Sequence, residues 1–163
     1  YEQMIQTLEA IEHCQIPTII DLPNIDPGGT EIDKAIQNYA HLPFVHADKN
    51  IDRETFISLL STVSAIVGNS SCGILEAPSF KLPSINIGIR QRGRFRASNV
   101  IDVDHDKNQI IEAIQVALYD KAFHSKLGSC QNPYGDGHSS ERIVNLLKSL
   151  ELTESLLDKQ ITY

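Results

Sequence analysis

No run of about eighteen apolar residues occurs in this chain of 163, so it carries no transmembrane helix, and its start has no signal-peptide pattern. Cysteine is scarce: Cys14, Cys72 and Cys130 stand far apart, without CxxC spacing. An odd, sparse count speaks against a disulfide framework and fits a reducing cytoplasm. Basic residues are also few. Lys and Arg number 14 against 21 Asp and Glu, for a net charge of −7 and a pI near 5.3. That balance disfavours nucleic acid as a partner, because domains that bind it carry a basic face. GxGxxG is missing and no lysine completes a phosphate-binding P-loop, which weakens NAD-binding and ATPase readings. GxSxG is missing too, against a hydrolase triad. The histidines (His13, His41, His46, His105, His124, His138) show no HxxxH spacing, so each reads as structural and no metal site is expected.

What is present alternates. Residues 2–13 place Ile5, Leu8 and Ile11 at helical spacing, and residues 16–21 form a short apolar strand. A loop of turn residues follows at 23–29, and Thr30 is expected to cap a helix running to about Tyr39. Strand 44–47 precedes a helix over 53–62 capped by Asp52. Strand 65–67 runs into a turn and helix, and further strands are expected at 84–87 and 99–103. Asp106 is expected to cap a helix through Leu118, and helices are expected over 139–150 and 151–159. Short unbroken apolar strands between helices imply an α/β fold: one doubly wound, Rossmann-like parallel sheet with helices on both faces. Length suits a single domain over 1–163. Tyr1 opens directly into a helical pattern, so a piece of a longer protein is expected.

In such sheets ligands bind beyond the carboxyl ends of the strands, and polar clusters follow four strands here: 21–26, 49–50, 68–71 and 88–94. Gly68-Asn69-Ser70-Ser71 offers a close backbone approach, hydroxyls and a helix start, which suits a diphosphate and equally suits simple N-capping. Glu76 is either a surface residue of that helix or an acceptor for the two hydroxyls of a ribose. Arg90, Arg92, Arg94 and Arg96 are four of the six arginines. One loop cannot aim all of them at one ligand; the others pair with acidic groups, face solvent or form an interface. Cys72 has no partner base and reads as a small core thiol.

The segments GNSSCGILEAPSF (68–80), LPSINIGIRQRGR (82–94) and NPYGDG (132–137), with PNIDPGG (23–29) upstream, closely resemble the hydrolysing UDP-N-acetylglucosamine 2-epimerases of sialic-acid-type sugar biosynthesis. NSSCG and RQRGR stand where the non-hydrolysing branch carries DSGG and TERPE-type sequences. The resemblance runs from about Asp21 to Leu150 and implies the C-terminal half of a two-domain B-type glycosyltransferase fold, the half that binds UDP. By that resemblance Ser70 and Ser71 hold the diphosphate with Asn24 nearby, Glu76 the ribose, and Arg90 the phosphates or the closing loop. Phe56 and the backbone near Ile51 border the uracil. The implied reaction removes the C2 proton of UDP-N-acetylglucosamine, eliminates UDP and adds water, without a cofactor. Its acid/base carboxylates and a histidine belong to segments before Tyr1, so this chain alone is expected to bind UDP weakly and turn over nothing. The resemblance further implies a homo-oligomer for the full-length protein, a dimer or tetramer. Thr30 stands near the place of a lysine used in CMP-sialic acid feedback, which points to an unregulated enzyme.

Three alternatives accompany this reading: an epimerase for UDP-2,4-diacetamido-trideoxy sugars on the legionaminic acid route, a B-type glycosyltransferase domain, and a non-catalytic nucleotide-binding module.

Overall fold

A computed structural model describes residues 2–22, 29–49 and 51–153. The chain divides into two compact units, Tyr1–Pro133 and Tyr134–Tyr163. Among the described residues the first holds every strand, in the order α1 (Glu2–Cys14), β1 (Thr18–Asp21), α2 (Gly29–Gln37), β2 (Val45–Asp48), α3 (Arg53–Thr62), β3 (Ile66–Gly68), α4 (Cys72–Leu75), a 3₁₀ helix (Ala77–Phe80), β4 (Ser84–Ile87), β5 (Val100–Val103), α5 (Lys107–Tyr119) and α6 (Lys121–Gly128). The second contains α7 (Ser139–Ser149).

Every strand pairing is parallel, as the alternation of strands and helices requires. The hydrogen-bonded ladder is not one sheet, however. It forms a two-stranded sheet, β1–β2, and a three-stranded sheet, β3–β4–β5. The separation follows the packing. Ile20 of β1 joins Leu8, Ala35 and Ile36 in a cluster with α1 and α2, whereas Ile85 and Ile87 of β4 join Ala10, Ile110, Ala113, Ile114 and Ala117 beneath α1 and α5. Helix α1 contributes Leu8 to one cluster and Ala10 to the other. Small residues, Ala10, Ala113 and Ala117, lie in the second cluster and suit the close packing of α1 against α5.

The three-stranded sheet is wound on both faces. Val67 packs toward α5, while its neighbour Ile66 packs with Leu60, Ala77 and Leu82 on the α3 side, because successive strand residues point to opposite faces. Central β4 is buried along its whole length. The α4 side carries Gly73 in close approach to the sheet: a Cβ there would lie 2.2 Å from Ser84 Oγ, so a larger residue would have to displace that buried hydroxyl.

Several expected boundaries shift. Thr30 lies inside α2 rather than ahead of it. Asp52 and Asp106 do cap, accepting from the backbone N–H of Glu54 and Thr55 and of Gln109 respectively. Helix α6, capped by Asp120, was not anticipated, because its eight residues are too few for a clear periodic pattern. Residues 151–153 are not helical, and the rest of the helix expected at 151–159 lies outside the described residues. No helix among the described residues is long and apolar enough to cross a membrane.

Candidate functional site

The strand-to-helix turn after β3 begins with Gly68 at φ +147°, a conformation that L side chains rarely adopt. The helix it enters is shorter than expected. Helix α4 has four residues, and Pro78, which has no N–H to continue the ladder, turns the chain into the 3₁₀ helix. Glu76 therefore stands at the joint between the two, not inside a continuous helix.

So short a helix leaves its carbonyls unsatisfied, and two asparagine amides take them up. Asn99, fully buried, donates to the carbonyls of Gly73 and Leu82 at 3.3 and 2.9 Å. Asn132 donates to the carbonyl of Leu75 and to Ser79 Oγ, both at 2.8 Å. Glu76 is thus pinned on either side by backbone contacts. One of its carboxylate oxygens, Oε2, is buried without a hydrogen-bond partner among the described residues.

The serine hydroxyls divide their work. Ser70 Oγ accepts weakly from the Cys72 N–H at 3.4 Å, whereas Ser71, at the cap position, makes no side-chain cap bond. Simple N-capping therefore does not account for Ser71. Cys72 lies between Ser70 and Glu76. Burial pushes its thiol up, against a lowering from the Ser70 hydroxyl, and the Glu76 charge pushes it up further. That is the signature of a protonated, weakly nucleophilic thiol.

The arginine loop after β4 begins at Gly88, with φ +75° and a backbone so close to His105 that a Cβ would lie 2.3 Å from Nε2. Its four arginines separate by role. Arg96 is committed: it pairs with Asp102 at 2.9 Å and donates to the carbonyls of Arg94 and Gln91. Arg92 and Arg94 are exposed. Arg90 reaches the serine turn, where Nη1 meets Asn69 Oδ1 at 3.5 Å, the outer limit of a hydrogen bond. Gln91, only 3% exposed, donates from Nε2 to the Asn69 carbonyl at 2.8 Å. Asn69 thereby joins the two segments.

Of the sequence-derived site residues, the fold brings Ser70, Ser71 and Arg90 to one sheet edge and fixes Glu76 at the following joint. Phe56 packs half-buried in the cluster that contains Ala77, the neighbour of Glu76. Ile51 is half-buried ahead of α3. Asn24 lies outside the described residues, as does most of the loop after β1. Gln91, Asn99 and Asn132 were missed as site residues. Gln91 and Asn132 lie inside the two motifs already singled out, and a polar residue expected to be buried next to a glycine turn is the signal that would have found them. A surface cleft on the β5 side of the loop is lined by Ile89, Arg92, Arg96, Asp102 and Gln109, and not by the serines or Glu76. Among the described residues no group of three or more His, Cys, Asp or Glu could hold a metal ion.

Residues 1–148 match the sequence model of a family described as UDP-N-acetylglucosamine 2-epimerase. The UDP-N,N'-diacetylbacillosamine 2-epimerase (hydrolyzing) of Legionella pneumophila is 41% identical over 141 residues, covering 86% of this chain and 36% of that protein. The GDP/UDP-N,N'-diacetylbacillosamine 2-epimerase (hydrolyzing) of Campylobacter jejuni is 35% identical over 115 residues, covering 69% of this chain and 29% of that protein. In three dimensions the chain resembles the UDP-GlcNAc 2-epimerase of Methanocaldococcus jannaschii, solved in complex with UDP-GlcNAc and UDP. The TM-score is 0.69 at 20% identity, covering 90% of this chain and 41% of that one. The chain thus spans about a third of the length of these curated relatives, and its fold matches 41% of the solved structure's chain.

Proposed function

This chain belongs to the UDP-N-acetylglucosamine 2-epimerase family, and from that premise we propose that it is the UDP-holding domain of a hydrolysing UDP-sugar 2-epimerase. The observation that carries the reading is the joining of the serine turn and the arginine loop through Asn69. It sets uncommitted hydroxyl and guanidinium donors side by side at the carboxyl edge of a parallel sheet.

In this reading the diphosphate lies on Ser70 and Ser71 and is closed over by Arg90. The ribose hydroxyls donate to Glu76, whose buried Oε2 is a ready acceptor, and the uracil lies toward Phe56 and Ile51, with Asn24 near the phosphates. The chemistry assigns this domain the leaving group. A base removes the C2 proton, the resulting electron pair forms the C1=C2 bond, and the C1–O bond breaks with its electrons leaving on UDP. Water then adds at C1 while C2 is reprotonated from the opposite face, giving the free 2-epimeric sugar and UDP. The C2 proton is weakly acidic, so stabilising the departing diphosphate carries much of the barrier. The acid/base groups belong to the part of the relatives that this chain does not span, and the chain alone binds UDP without turnover. Oligomerisation of the full-length protein and a cytoplasmic site of action belong to the same proposal.

Two substrates suit it. UDP-N-acetylglucosamine, yielding N-acetylmannosamine, is the first. UDP-N,N'-diacetylbacillosamine is favoured by the 41% identity to the Legionella relative that the enzyme's name assigns to it. NMR of the full-length protein with each sugar nucleotide in heavy water tests both. A free 2-epimeric sugar with deuterium at C2 is expected, and an epimerised product still attached to UDP would overturn the hydrolysing assignment.

A further inference from the structure

We infer that Gln91 is a positioning residue that holds the serine turn and the arginine loop in a single register, so that the phosphate donors stand assembled before a ligand arrives. The inference rests on the UDP reading above and deepens it. Gly68, Asn86 and Asp102 lie abreast across β3, β4 and β5. From that row a continuous polar path leaves the sheet. Asn86, 2% exposed, donates to Asp102 at 2.6 Å, and Asp102 pairs with Arg96 at 2.9 Å. Arg96 Nη2 donates to the Gln91 carbonyl at 3.1 Å, and the Gln91 side chain donates to the Asn69 carbonyl at 2.8 Å. The path therefore begins and ends beside Gly68 and encloses the base of both loops.

Two features set Gln91 apart from a surface glutamine. It is the one buried side chain of the loop's 89–95 stretch, flanked by exposed Ile89, Arg90, Arg92 and Arg94. Its Oε1 is also buried with no partner among the described residues. A buried acceptor left unmade lowers stability, so an apolar residue would serve packing better. What an apolar residue cannot do is donate to the Asn69 carbonyl. That bond fixes the Asn69–Ser70 peptide, and with it the placement of Ser70, Ser71 and Arg90. Arg96, one of the loop arginines expected to pair with an acidic group if not with a ligand, acts here as the brace.

The test compares UDP with uridine on Gln91→Met, which keeps the volume and removes the donor, and on Arg96→Gln, which breaks the brace from its exposed end. Calorimetry is expected to show UDP binding weakened about tenfold in each variant. Uridine, followed by NMR titration, should be held within about twofold, because ribose recognition at Glu76 lies outside the path. Amide hydrogen exchange at Ser70 and Ser71 is expected to quicken in both variants without ligand. UDP affinity unchanged in the variants, or UDP and uridine weakened alike, overturns the positioning role and leaves the UDP site standing. Absence of UDP binding in the unsubstituted chain overturns the site, and the inference with it. Should Gln91→Met fail to fold, Arg96→Gln alone decides between these outcomes.

Discussion

The glycine turns that enter α7 and α4 treat their polar groups in opposite ways. The turn entering α7 satisfies itself. Asp136 accepts from the His138 N–H and pairs with Arg142 through both carboxylate oxygens, and His138 stands 3.5 Å from Glu141. The turn entering α4 does not: Ser71 makes no cap bond, Arg90 touches Asn69 only at 3.5 Å, and Glu76 Oε2 has no partner among the described residues. The first turn starts an eleven-residue helix, the second a helix of four. A turn that serves a helix uses its charges on that helix. On the proposed reading, the turn entering α4 keeps them open for a ligand and borrows its rigidity from elsewhere, from Asn99, Asn132 and Gln91.

The contrast can be broken most forcefully from below. Ile85 is fully buried in β4, in the cluster with Ala10 and Ile110, and Ile85→Ala is expected to destabilise the first unit by about 2–5 kcal/mol in urea titration. A small loss would mean the sheet that supports the turn does not rest on this cluster. Arginine comes next: Arg90→Ala or Ser71→Ala should weaken UDP binding by about 1–3 kcal/mol in calorimetry, as for loss of a charge-assisted hydrogen bond. Arg142→Ala, the matching change in the self-satisfied turn, should leave that affinity alone. Equal losses at the two arginines would erase the distinction.

Chemistry sharpens it further. With its thiol pushed up by burial and by Glu76, Cys72 holds less thiolate at a given pH than a free cysteine, so iodoacetamide should modify it more slowly at neutral pH. Alkylation at the rate of an unfolded thiol would contradict the burial. The smallest effect concerns acid. The Arg142 side chain, and then the His138 N–H, hold the Asp136 carboxyl below the ordinary carboxylate range. A lowered folded-state value stabilises the charged form, so the contribution is full above the unfolded value of about 3.9 and is lost as pH falls through the folded one. Circular dichroism should show a slight loss of helix over that range, absent in Asp136→Asn.

Much of the proposed site could be put forward from the chain because its pieces are local. Gly68 to Ser71, Glu76 and Arg90 sit in contiguous stretches whose residue types already suit phosphate and ribose, and Asp52 and Asp106 announce their helices by the N-cap rule. The loop that contains Asn24 lies outside the described residues. Where the reading failed, the cause was competition between local and distant forces. The sequence reading puts Glu76 inside the helix that follows Ser71, but that helix ends at Leu75 and Pro78 turns the chain into a 3₁₀ helix. Composition left open which of the four alternate arginines pairs with an acidic group; among the described residues Asp102 holds Arg96, while Arg90 meets the serine turn.

Sequence alone determined the parallel α/β class, the strand-to-helix turns and the family, since each follows from short-range patterns: unbroken apolar strands, capping residues, and motifs a dozen residues long. Tertiary structure decided which polar groups remain available. The ladder divided into two sheets because two apolar clusters pull their strands toward different helices. Gln91 is buried because the arginine loop folds back on the turn after β3. Whether a hydroxyl, guanidinium or carboxylate is free to meet a ligand depends on partners brought close by packing, and those partners are remote in the chain.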